Sequence, residues 1–217
     1  AEGNAAGRIN IRVLVYDVSR TPTPGQPKAH HVVQLPAYNA DGNGGPPDRT
    51  AAQSEILALD DHRFLMLARD AAGHGAASKS PIVYKSILLV DLTHATNLAG
   101  SEYETGTASL LQDSSGPVLR NGIVPAEWGE LVNMLNPVQL ARFGLNVEAL
   151  SEKWEAMDLM SVLEPDRPSD YFLLVGNDND FAARRCRMSG EDCGSDIDND
   201  NRLLLYRIRL PAPLDSD

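Results

Sequence analysis

The residues best suited to chemistry lie in one stretch, Tyr171-Phe-Leu-Leu-Val-Gly-Asn-Asp-Asn-Asp-Phe181. Asn177, Asp178, Asn179 and Asp180 follow directly on an apolar run, Tyr171 to Val175, that reads as a buried strand. Carboxylates and amides are hard oxygen ligands of the kind Ca²⁺ takes. The end of a rigid strand is a place where such groups can be held accurately. Asn and Asp also favour turns for local reasons, so a turn is the alternative reading of the same four residues.

Other charged residues repeat around the same pattern. Glu55 and Glu155 each open a strand-like run, and Asp70 and Asp178 each close one. If these elements are structural repeats, the acidic groups converge on one face. Two unit charges 4 Å apart repel by about 4 kcal/mol at an effective dielectric near 20. Such a cluster therefore calls for a cation, a basic neighbour or shared protons. Arg69, Lys85 and Lys153 are the basic candidates. Calcium is the other, with Glu55, Asp70, Glu155, Asp178 and Asp180 as the candidate ligands. A metal on that face would polarise a phosphoryl oxygen and activate water. Glu155 and Asp178 are then the catalytic candidates, and Arg69, Lys85 and Lys153 the phosphate-binding ones. The plainer alternatives are glutamates that cap strands in solvent, and an Arg69–Asp70 surface pair worth about 0–1 kcal/mol.

The elements that must position these groups read mainly as strands. Ile9 to Val18 is a strand with partial alternation, and His31 to Pro36 a short one after a Pro-rich break. Ser54 to Leu59, Arg63 to Asp70 and Val83 to Leu92 form one three-strand unit. Trp154 to Met160, Tyr171 to Asp178 and Arg202 to Leu210 form another, with Ile9 to Leu35 as the tail of an earlier one. The expected fold class is all-β, with β-propeller-like blades making a partial propeller; a β-sandwich is the competing architecture. Two and a half blades leave strand edges unpaired, which predicts a single domain over 1–217 that is a fragment of a longer propeller chain or assembles with something else. A short helical insertion is expected over 125–144. Trp128, Leu131, Val132 and Leu135 fall at i, i+3, i+4 and i+7 on one helix face. Asn136 caps a second short helix with Pro137 at its first position, stopped at Gly144.

Composition narrows the classes. The chain has 217 residues and a formal net charge of −11. That charge opposes nucleic-acid binding, which requires Lys and Arg against phosphate, and opposes adhesion to anionic membranes. No apolar run approaches bilayer length. The expected partner is a small phosphorylated substrate or other small ligand. Cys186 and Cys193 fit no structural zinc site. They read as a local disulfide worth about 2.5 kcal/mol, which points to an oxidising compartment; two free surface thiols are the alternative. Asp196-Ile-Asp-Asn-Asp200 alternates like a calcium loop, but Asn201 and Arg207 stand where an EF-hand uses Gly and Glu, so it reads as a solvated acidic loop. There is no G-x-S-x-G elbow, which argues against a serine esterase of the α/β-hydrolase kind.

Several of these words resemble the "esterase-like activity of phytase" family, relatives of the β-propeller phytases. They are Glu55-x3-Leu59 with Arg63-Phe-Leu-Met-Leu-Ala-Arg-Asp70, Lys85-Ser-Ile-Leu-Leu-Val-Asp-Leu92, Lys153-Trp-Glu-Ala-Met, and above all Tyr171 to Phe181. The resemblance covers roughly residues 50 to 210 and looks like the C-terminal part of the family domain. Ala68 stands where the family often has Glu, and Ala156 where it usually has Gly; the first removes one possible ligand. The resemblance implies a secreted or periplasmic β-propeller hydrolysing phosphate esters. A non-catalytic propeller module with structural calcium is the alternative, since fold does not fix function.

Overall fold

In the computed structural model, which describes residues 9–76, 79–113, 116–182, 184–185, 187–192, 194 and 199–214, three antiparallel sheets stack through their apolar faces. The strands are β1 (Asn10–Val15), β2 (Ala29–Gln34), β3 (Ala37–Tyr38), β4 (Arg49–Thr50), β5 (Ala52–Ala58), β6 (Arg63–Arg69), β7 (Lys85–Asp91), β8 (Glu127–Asn133), β9 (Lys153–Ser161), β10 (Asp170–Asp178), β11 (Arg187–Met188), β12 (Glu191–Asp192) and β13 (Leu203–Arg209). The central sheet has the order β5-β6-β7-β8, the C-terminal sheet β13-β10-β9, and β1 pairs with β2; β3-β4 and β11-β12 are short ribbons.

The apolar run of β6 has a direct cause. Leu65 and Leu67 pack with Ile87, Leu173, Val175, Leu204 and Tyr206 against the C-terminal sheet. The alternate residues Phe64, Met66 and Ala68 pack with Leu88, Val90, Val33 and Leu35 toward the N-terminal ribbon. A strand covered on both faces has no polar side to show, so its sequence does not alternate. In β13 only one face is covered, and its residues alternate exposed and buried from Leu203 to Arg209.

The propeller expectation is corrected here. The repeated units exist as sheets, but none is closed into a barrel or propeller; the architecture is open-sheet and sandwich-like. The outer face of the C-terminal sheet is uncovered: Met160, Leu203 and Leu205 are 62 %, 69 % and 48 % exposed. A ring would cover that face. A three-strand repeat specifies the meander within each sheet, and a blade and an open sheet share that pattern.

The first part of the expected helical insertion is also corrected. Glu127–Asn133 is the strand β8, paired with β7. The register runs Leu88 to Glu130 and then Ile87 to Val132, so Leu131 is an extra, bulged residue. A bulge shifts the side-chain alternation by one. Leu131 and Val132 then both turn inward, which imitates the i+3, i+4 pair of a helix. The helix after Asn136 is present as α2 (Pro137–Arg142), following a one-turn α1 (Glu102–Thr105). Asn136 Oδ1 accepts from Val138 N and Gln139 N, and Gly144 at φ +69° ends the turn. Among the described residues no helix is long and apolar enough to cross a membrane.

Candidate functional site

The site lies where the C-terminal end of β6 meets the start of β9 and the end of β10. Two bulges shape it. In the β5–β6 pairing the register skips Ser54, and in the β9–β10 pairing it skips Glu155. A bulged residue is re-aimed out of the ladder, and both of these turn to one side chain. Arg69 donates through Nε to Ser54 Oγ at 2.8 Å and through Nη2 to Glu155 Oε1 at 2.5 Å. Its Nη1 donates to the Asp70 carbonyl at 3.2 Å. The Arg69 side chain is 10 % exposed, so these charge-assisted bonds are poorly screened. It ties the central sheet to the C-terminal one.

Lys153 and Asp178 are Cα partners across β9 and β10. Beyond Asp178 the chain turns back. Asp178 Oδ1 accepts from Asp180 N and Asn179 Oδ1 from Phe181 N, at 2.9 and 3.0 Å. These local bonds favour the left-handed backbone at Asp180 and Phe181, φ +50° and +58°. The turn delivers the Asp180 carboxylate to Lys153 Nζ, at 2.8 Å from Oδ1 and 2.6 Å from Oδ2. Asp180 holds the ammonium above its ordinary pKa by this bond and by its charge, with the charges of Glu155 and Asp178 adding to it. Three carboxylates therefore act on one ammonium.

Asp70 and Lys85 have a different environment. Both are buried, and Lys85 Nζ donates to Asp70 Oδ1, Ala72 O and Glu152 O at 2.9, 2.7 and 3.0 Å. That uses all the donors of an ammonium. Asp70 also accepts from Ala72 N, Val83 N and Tyr84 N. Burial pushes the Lys85 pKa down, and the Asp70 charge opposes that shift. The pair pins the end of β6, the loop after it and the residue before Lys153 to one another. Glu55 is set apart: it pairs with Leu67, and among the described residues its carboxylate accepts only from the next amide, Ile56 N, at 2.8 Å. Glu55 and Glu155 therefore do not occupy equivalent places, because Glu155 is bulged and Glu55 is in register. Cys186 and Cys193, between which a disulfide is expected, lie outside the described residues, as do Asp196 and Asp198.

A cavity of about 560 Å³ adjoins the segment leading to Lys153, lined by Gly73, His74, Lys79, Ser80, Ile82 and Glu148 among others. His74 N donates to Leu150 O and Glu152 N to His74 O, which sets the loop against that segment. Only glycine fits at 73: its φ is +147°, and a Cβ would lie 2.5 Å from Glu152 N. Below the turn a buried chain of polar groups runs from Asn177 Nδ2 to Ser151 Oγ and on to Asn199 Oδ1. Sequence reasoning missed Ser54, Ser151 and Asn199. Their roles come from bulges and a return loop, and no local spacing marks either.

Charge inventory limits what the arrangement can do. Among the described residues no three His, Cys, Asp or Glu side chains are grouped so as to ligate one ion. The charges of Asp180, Glu155 and Asp178 all act on Lys153, and of these three Asp180 is the one hydrogen-bonded to it. Among the described residues Arg69 keeps an N–H on each terminal nitrogen beyond the bonds named above.

An open antiparallel β-sheet protein with a carboxylate-rich, Arg- and Lys-containing strand-end site is the class defined by this geometry. The family model "Phytase-like: Esterase-like activity of phytase" matches residues 1–181, and the chain belongs to that family. A curated relative from Arthroderma benhamiae, described as an uncharacterized secreted protein, is 31 % identical over 189 residues. The match takes in 80 % of this chain and 36 % of the relative, so the chain spans about a third of that protein's length. No solved structure matches.

Proposed function

We propose that the chain contributes a phosphoric-ester hydrolase site. The observation that carries this reading is the convergence of Arg69 and Lys153 with Glu155, Asp178 and Asp180 at one junction of two sheets. Arg69 has N–H groups left to hold phosphoryl oxygens, in the geometry guanidinium suits. Asp178 is exposed, and only one of its oxygens takes a hydrogen bond among the described residues, from Asp180 N. In this reading the other oxygen takes the proton of an attacking water. The water oxygen then bonds to phosphorus, the ester P–O bond breaks, and the departing alkoxide takes a proton from solvent, which releases the alcohol and phosphate. Glu155 orients Arg69 and is the second catalytic carboxylate. The cavity beside Gly73 and His74 would take the organic part of the ester.

The charge inventory favours an added cation. Arg69 and Lys153 face three carboxylates, and a phosphate dianion arriving there is repelled by about 4 kcal/mol per like pair at 4 Å and an effective dielectric near 20. For calcium to bind here, Asp178, Asp180 and Glu155 would have to be drawn together, because no three carboxylates are grouped about one point among the described residues and Asp180 is paired with Lys153. When bound, calcium would polarise the phosphoryl oxygen and offset the dianion charge. Secretion is part of the same reading, by analogy with the secreted relative.

Hydrolysis of 4-nitrophenyl phosphate, measured with calcium and with a chelator, tests this. We expect turnover that the chelator abolishes and that Asp178→Ala lowers by about 10²–10⁴-fold. Activity that survives both changes overturns the carboxylate mechanism. Absence of turnover in protein shown by calorimetry to have calcium bound overturns the hydrolase reading.

A further inference from the structure

A second concavity shares no residue with the acidic strand ends. It measures about 590 Å³ and is walled by Leu35, Pro36, Tyr84, Trp128 and Glu130 among others. That is within the size range of small-molecule sites. It sits where the edge strand β8 meets the end of β2. Trp128 and Glu130 are two residues apart on β8, so both side chains stand on the same face.

Each group there is fixed. The Trp128 indole donates from Nε1 to Gln34 O at 2.7 Å while the residue stays 38 % exposed. Tyr84 stacks on Tyr38 with ring centroids 6.0 Å apart. Glu130 Oε2 accepts from Ser86 Oγ at 2.7 Å, and Oε1 takes no hydrogen bond among the described residues. Burial pushes the Tyr84 phenol up to about 12, with the Glu130 charge adding to the shift, so the ring stays neutral. Glu130 is then the one charged residue of the described wall, and no lysine or arginine answers it there.

We infer that this concavity binds an organic ammonium ion, with its cationic head over the Trp128 indole and against Glu130. An aromatic face attracts a cation through its quadrupole. A carboxylate with a free oxygen beside that face adds the opposite charge that the chain does not supply. Anions are repelled by Glu130. The surplus of negative charge on the whole chain draws cations toward it.

The test is a titration of the full chain with choline chloride at constant ionic strength, read by tryptophan emission and by calorimetry. Trp128 is exposed whereas Trp154 is fully buried, so an emission change reports on this wall. We expect saturation, with choline bound about tenfold more tightly than its neutral isostere 3,3-dimethyl-1-butanol. Glu130→Gln should weaken choline binding by a similar factor, with an unchanged far-ultraviolet circular dichroism spectrum. Trp128→Phe should abolish the emission response while calorimetry still detects binding. Equal affinity for the isostere, unchanged affinity in Glu130→Gln, or saturation by methyl glucoside without any response to choline overturns the inference.

Discussion

Replacing Lys85 with methionine tests how the site is held together. The substitution keeps an unbranched stem in a position with no exposed surface and removes the charge. Three acceptors lose their donor: Asp70 Oδ1, Ala72 O and Glu152 O, bonded at 2.9, 2.7 and 3.0 Å. Breaking a buried ion pair by removing one partner costs about 3–5 kcal/mol. Asp70 retains the amides of Ala72, Val83 and Tyr84, so its charge is still hydrogen-bonded. That places the expectation at the lower end, about 3 kcal/mol. For a chain of this size each kcal/mol lowers Tm by about 2–4 °C, which gives a fall of about 6–12 °C. Thermal unfolding followed by circular dichroism at neutral pH measures it. Asp70→Asn removes the other charge, and in either orientation its NH2 faces N–H donors that cannot pair with it. The double variant should lose less than the sum of the singles, by about 0.5–3 kcal/mol. A fall below about 2 °C for Lys85→Met, or strict additivity in the cycle, refutes the claim that this pair anchors the junction.

Two further outcomes are expected. Gly73→Ala puts a Cβ 2.5 Å from both Glu152 N and Ser151 C, backbone atoms that cannot rotate away. It should speed hydrogen exchange at the His74 and Glu152 amides, whereas Gly122→Ala, at φ +87° in open space, should leave those amides unchanged; equal protection in wild type and Gly73→Ala would count against the close approach. The second concerns acid. Arg209 and then Arg207 hold the Asp170 carboxyl below its ordinary value of 3.8 by hydrogen bonds. The stabilisation this gives is complete above that ordinary value and is lost as pH falls through the depressed one. Urea midpoints should therefore drop more steeply below about pH 4 in wild type than in Asp170→Asn, and parallel curves would exclude the linkage.

The strands that carry the site were legible because burial wrote them plainly. β6 and β10 are apolar runs ended by polar residues, and each is packed in the core as that pattern predicts. What was not legible is where a strand takes an extra residue. The bulge at Leu131 turned β8 into an apparent helix face, and the bulges at Ser54 and Glu155 broke the equivalence of Glu55 with Glu155. A bulge changes pairing without changing composition, so periodicity alone does not reveal it. The ring was illegible for another reason. Closure depends on what covers the outer face of the last sheet, and residues within a sheet repeat do not encode that.

The two repeats also show how one template yields two chemistries. Arg69, Asp70 and Lys85 in the central sheet correspond to Asn177, Asp178 and Arg202 in the C-terminal one, since Arg69 pairs with Lys85 and Gly176 with Leu203. In the central sheet the chain after Asp70 returns so that Val83 N and Tyr84 N close over the carboxylate, and Lys85 neutralises it from below. In the C-terminal sheet Arg202 instead donates to Ala149 O, and its own amide goes to Asn177 Oδ1. Asp178 thereby lacks the buried cation its counterpart has and stays at the surface, where its charge acts on Lys153 of the neighbouring strand. A buried, saturated carboxylate anchors; an exposed one short of donors reacts or binds. The return loop after the strand decides between these fates, and it decides through backbone N–H groups that every sequence possesses. That is why Asp70 and Asp178 look alike as residues in a motif and differ as groups in a site.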